Sequence, residues 1–181
     1  MIINVRGTSG SGKTWVMKKV METLGHWEPI GTEGRKKPLY YVNTKYRGVI
    51  VLGHYESMCG GCDNVGSAKA VYDLIQDILS SHKKPTILCE GLLLSEDTKW
   101  CSQLEDLRVI YLITPLSQCL KQIEARRASV GNEKPLNPAN TTNRIKVIER
   151  SRLKLKESGI IAIRSSVNQA PSIILKWIKG K

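Results

Sequence analysis

The first stretch able to do chemistry is Gly7-Thr8-Ser9-Gly10-Ser11-Gly12-Lys13-Thr14, which follows the pattern G-x-x-x-x-G-K-[ST]. Glycines at this spacing let backbone N–H groups curl around phosphate oxygens, and a helix opening at Lys13 adds the positive end of its dipole. In such a loop the backbone from Gly7 to Gly12 cradles phosphates, Lys13 bridges the β- and γ-phosphates, and the Thr14 hydroxyl holds a metal ion. ATP with Mg²⁺ is therefore the expected pair of cofactors.

Phosphoryl transfer also needs carboxylates. Glu90 closes the apolar run Thr86-Ile87-Leu88-Cys89 and is placed to orient Mg²⁺ or its water, with Gly91 beside it allowing close approach. On the acceptor side, Val49-Ile50-Val51-Leu52 runs into Gly53-His54-Tyr55-Glu56 and then Cys59-Gly60-Gly61-Cys62-Asp63. Asp63 and Glu56 are both candidates for the base that takes the proton of an attacking hydroxyl, with His54 and Tyr55 lining its pocket. Asp63 reads equally well as the N-cap of the helix that follows. Cys59 and Cys62 supply two zinc ligands where a structural site needs four, so a tight glycine turn explains them as well as metal does.

Positive charge is unevenly distributed. Residues 121–156 carry ten Lys/Arg and three Asp/Glu. Arg126 and Arg127 end a helix ahead of a loop rich in Gly, Asn and Pro; small phosphate-loop kinases place a lid there, whose arginines neutralise the transferring phosphoryl group. Downstream, Arg144, Lys146, Arg150, Arg152, Lys154 and Lys156 make a basic helix. Arg35 and Lys36, followed by Lys37, Tyr40, Tyr41, Lys45, Tyr46 and Arg47, interleave cations with rings; that mixture suits a nucleic-acid strand, or simply an exposed loop.

These residues need a scaffold, and the apolar pattern supplies one. Runs at Ile2–Val5, Val49–Leu52, Thr86–Cys89, Val109–Ile113 and Ile160–Ile163 lack polar alternation, and helical periodicities separate them. That pattern predicts a mainly parallel sheet of five strands covered on both faces, with ligands beyond the carboxyl ends of the strands. Residues 25–48 read as an irregular excursion, and the lid as about 126–142. At 181 residues, 41% hydrophobic and 24% charged, the chain suits one α/β domain over 1–181 and excludes disordered and fibrous classes. No apolar run approaches a membrane span, and Met1–Gly7 carries no basic region before an apolar stretch, so a cytoplasmic setting is expected. Five cysteines, an odd number without a repeating frame, fit free thiols. The net charge of +12 implies a polyanionic partner.

Together Gly7–Thr14, Glu33-Gly34-Arg35-Lys36-Lys37-Pro38, Gly53-His54-Tyr55-Glu56, Cys59-Gly60-Gly61-Cys62-Asp63, Glu90-Gly91, Ala125-Arg126-Arg127 and Leu136-Asn137-Pro138 resemble the phage 5-hydroxymethyluracil DNA kinases. The resemblance implies a three-layer phosphate-loop kinase fold and ATP-dependent phosphorylation of the 5-hydroxymethyl group of hydroxymethyluracil in DNA, a step in thymidine hypermodification. For a phage-encoded chain it implies the host cytoplasm. A hydroxymethyl on C5 projects into the major groove, where it is either read in place or reached by flipping the base towards His54 and Tyr55. Three other readings of the residues stand beside this one: a kinase of nucleosides, nucleotides or other small molecules, an ATP-switched binding protein, and a zinc-stabilised nucleic-acid binder.

Overall fold

The computed structural model describes residues 1–31, 34, 36–57, 60–132 and 134–180. Five strands form the parallel body of the sheet: β1 (Ile2–Arg6), β4 (Val49–Leu52), β5 (Thr86–Glu90), β6 (Leu107–Leu112) and β7 (Ile161–Ser165). These are the five apolar runs of the sequence. Two more strands, β2 (Trp27–Ile30) and β3 (Tyr40–Asn43), extend the sheet antiparallel beyond β4, giving seven in the order β2-β3-β4-β5-β1-β6-β7. The stretch expected to be irregular is thus partly a hairpin. Pro29 fits there because β2 is the edge strand, where a missing backbone N–H costs no ladder bond.

Six α-helices among the described residues complete the layers: α1 (Lys13–Leu24), α2 (Ala68–Ser81), α3 (Leu92–Glu96), α4 (Leu116–Ala128), α5 (Pro138–Glu157) and α6 (Ala170–Ile178). Alternate residues of β1 enter opposite cores. Ile2 joins the apolar cluster that includes Val71 and Ile75 of α2, Leu94 of α3, and Ile148 and Leu155 of α5. Ile3 and Val5 join the cluster built on Val16, Met17 and Val20 of α1 with Ala170 and Ile174 of α6. A parallel sheet buried on both faces follows from this two-sided apolar demand.

Local signals set the helix ends. Ser67 caps α2 by accepting from the Ala70 N–H at 3.1 Å. Asn137 caps α5 by accepting from Ala139, and Pro138 takes the first helical turn, where its missing N–H is harmless. Consequently much of the segment expected as a lid is helical, and the loop between α4 and α5 spans 129–137. No helix among the described residues is long and apolar enough to cross a membrane.

Candidate active site

The last residues of β1 and β5 lie side by side, Val5 opposite Glu90, so the phosphate loop and the carboxylate start from adjacent strand ends. Gly12 precedes α1 in the left-handed region at φ 94°, a conformation that costs glycine little. Lys13 is buried, and its Nζ donates to the carbonyls of Gly7 (2.9 Å) and Thr8 (3.1 Å). The Thr14 hydroxyl donates to Glu90 Oε1 at 2.8 Å. Burial pushes the Glu90 carboxyl up to about 7, opposed by the Lys13 ammonium and the Thr14 hydroxyl. Burial in turn lowers Lys13 from its usual value, opposed chiefly by Glu90.

One residue behind the loop locks these parts together. Ser95 of α3, fully buried, accepts from the Gly7 N–H at 3.1 Å and donates to the Gly91 carbonyl at 2.7 Å. Its carbonyl accepts from Ser151 of α5 at 2.9 Å. Arg6, on β1 immediately before the loop, is 0% exposed and donates from Nη1 to the Asp97 carbonyl at 2.6 Å. Its Nε and Nη2 have no hydrogen-bond partner among the described residues.

A cavity of about 380 Å³ opens above the loop. Ser9 to Trp15 line it, together with Gly60, Asp63, Glu90, Leu92, Gln122, Ala125 and Arg126. Of the expected catalytic residues, Lys13, Asp63 and Arg126 therefore converge there, as do the expected metal ligands Thr14 and Glu90. Thr14 and Glu90 fit Mg²⁺ chemically: hard oxygen donors, adjacent, one of them a carboxylate that burial otherwise disfavours as an anion. Among the described residues, no group of three or more His, Cys, Asp or Glu side chains is placed to hold a metal.

Asp63 does not cap α2, which Ser67 serves. Its Oδ1 accepts from the Leu93 N–H at 3.1 Å, capping α3 across 30 residues of sequence. The double glycine preceding it explains how it arrives. Gly61 has φ 87°, and a Cβ there would stand 2.6 Å from the Glu90 carboxyl, so only glycine lets this loop lie against β5.

The other expected residues lie apart from the cavity. His54 and Tyr55 are buried, with Gly60 packed against both. His54 Nε2 stands 3.1 Å from Lys37 Nζ, and burial together with that ammonium lowers its pKa. Glu56 is exposed and accepts from the Tyr41 hydroxyl at a long 3.5 Å. Arg127 turns towards the interhelical loop, donating to the carbonyls of Lys134 (3.0 Å) and Pro135 (3.3 Å). Lys36 is exposed, and Arg35 and Cys59 lie outside the described residues. Cys62 is buried with its thiol pushed well up by that burial. Two of the basic-helix cations are paired locally, Arg144 with Glu96 and Arg152 with Glu149, whereas Lys146, Arg150, Lys154 and Lys156 are exposed. The sequence reading missed Ser95, Leu92 and Trp15. Only Trp15 carried a signal, an aromatic directly after Lys13-Thr14.

A mainly parallel α/β sheet with this loop after β1, and the Glu90 carboxylate at the neighbouring strand end, defines a phosphate-loop phosphotransferase. Deoxyadenosine kinase from M. mycoides has the same fold, with a TM-score of 0.51, 14% sequence identity and full coverage of both chains. No protein-family model matches the sequence. The 5-hmdU DNA kinase of Pseudomonas phage PaMx11 is 36% identical over 174 residues, 91% of this chain and 89% of its own length. The 5-hmdU DNA kinase of Delftia phage PhiW-14 is 25% identical over 183 residues, covering 90% of this chain and 66% of its own. The chain belongs to the 5-hmdU DNA kinase family.

Proposed function

We propose that this protein transfers the γ-phosphoryl group of ATP to the 5-hydroxymethyl oxygen of hydroxymethyluracil within DNA. The convergence of Lys13, Thr14, Glu90, Asp63 and Arg126 on one cavity carries the reading, and membership of the family supplies the substrate. Lys13 holds the β- and γ-phosphates, and the backbone from Gly7 to Gly12 surrounds them. Thr14 and Glu90 would hold Mg²⁺, which supplies positive charge against the phosphate oxygens. Asp63 is the base in preference to Glu56, because it lines the cavity and its backbone partner at Leu93 fixes the carboxylate. As the hydroxymethyl oxygen bonds to phosphorus, its proton passes to Asp63, and the bond to the ADP oxygen breaks. Arg126 faces the charge that builds on the transferring group, and Arg127 supports it by holding the loop that follows α4. The whole chain acts as one catalytic domain, in the host cytoplasm, and its exposed cations meet DNA phosphates.

Incubation with ATP, Mg²⁺ and hydroxymethyluracil-containing oligonucleotides, followed by nucleoside mass spectrometry, tests this reading. A phosphomethyl product supports it. Turnover of free nucleosides without any product in DNA would overturn it.

A further inference from the structure

We propose that Trp15 is a stacking surface for the target base, which the enzyme takes out of the DNA helix before phosphorylating it. This deepens the kinase reading and rests on it. The chemistry lies on the floor of the cavity, where Lys13 is 8% and Glu90 1% exposed. A space of about 380 Å³ is large enough for phosphates and a single base. The hydroxymethyl group extends only one carbon and one oxygen beyond the pyrimidine ring, so the ring itself must enter. Enzymes that act on buried bases extrude the nucleotide, and an aromatic side chain replaces the lost stacking.

Among the described residues Trp15 is the aromatic lining this cavity, and it is 48% exposed on a helix whose other apolar residues face the core. Lys18, one turn later on the same face of α1, places it towards the acceptor side: its Nζ donates to the Ser57 carbonyl at 2.8 Å, in the segment before Asp63. Leu92 adds an apolar group to the same lining, and Arg126 a cation within reach of phosphate. His54 and Tyr55, where a flipped base was expected, are covered by protein.

Steady-state kinetics on oligonucleotides carrying one hydroxymethyluracil, either paired, mismatched or single-stranded, tests the proposal, with ATP binding to the same variants measured by calorimetry. Wild-type enzyme should phosphorylate the unpaired forms with the higher kcat/KM. Trp15→Ala should raise the KM for DNA on the order of tenfold, leave ATP affinity within about twofold, and be largely rescued by Trp15→Phe. Equal rates on paired and unpaired sites would overturn it, as would a Trp15→Ala defect confined to ATP. Wild-type enzyme that labels no form of the DNA would instead overturn the substrate reading, and this inference with it.

Discussion

The two halves of the cavity are built differently. On the nucleotide side, Lys13, Thr14 and Glu90 sit at adjacent strand ends, buried or nearly so, and Ser95 ties the loop to the strand that carries Glu90. On the proposed acceptor side, Asp63 is exposed on a 3-10 turn (Cys62–Asn64), and its position depends on a cap to α3 and on Gly61 lying against Glu90. The first half is a local glycine loop seated on buried strand ends, whereas the second is an exposed segment placed by its contacts with α3 and β5. A loss on the first side should therefore leave the fold intact and stop the chemistry. A loss on the second should mix the two effects.

Lys13→Ala is the largest expected break, lowering kcat by roughly 10³-fold or more with an unchanged circular dichroism melt. An active variant would remove the phosphate-loop mechanism. Asp63→Asn should lower kcat by roughly 10²-fold, whereas Glu56→Gln should stay within about threefold. The reverse order would move the base to Glu56 and the acceptor site away from Leu92. Gly61→Ala must accommodate a Cβ 2.6 Å from the Glu90 carboxyl at φ 87°, so urea denaturation should show a loss of about 2 kcal/mol along with activity. A stable and fully active Gly61→Ala enzyme would show that the acceptor loop sits elsewhere during turnover.

The smallest effect lies away from both halves. Hydrogen bonds from Arg152, and then from Arg164, hold Glu149 below its ordinary 4.5, against a rise from burial. Its stabilisation is present above that ordinary value and fades as pH falls through the lowered one. Glu149→Gln should melt below wild type by at most about 2 °C near neutrality, and the gap should close in acid once the pH has fallen through the lowered value. A gap that persists in acid would assign the effect to packing.

The same contrast governs how much could be read from the sequence. The five parallel strands and the phosphate loop were legible because apolar runs and glycine spacing are local signals. The β2–β3 hairpin was not, since Glu28, Pro29 and an edge position hide its strand character. Helix α3 is five residues long, too short for periodicity to register, and it decides where Asp63 points. The same distance effect hid the burial of His54 and Tyr55, two polar-looking residues at a strand end against which Gly60 then packs. Asn137 and Pro138, which the sequence reading left inside the lid over 126–142, cap and begin α5 and narrow the proposed lid to the loop over 129–137.

Arg6 gives the positive charge of the chain a second meaning. It is fully buried directly behind the phosphate loop, and no carboxylate pairs with it among the described residues. Mobile ions cannot approach such a charge, whereas they crowd around exposed cations such as Lys146 and Arg150. The enzyme accordingly carries buried cations that salt screens poorly, Arg6 foremost, beside many exposed ones that it screens well. Raising salt from 50 to 200 mM should weaken the KM for DNA steeply while the KM for ATP changes little, so ionic strength alone would separate the two substrates.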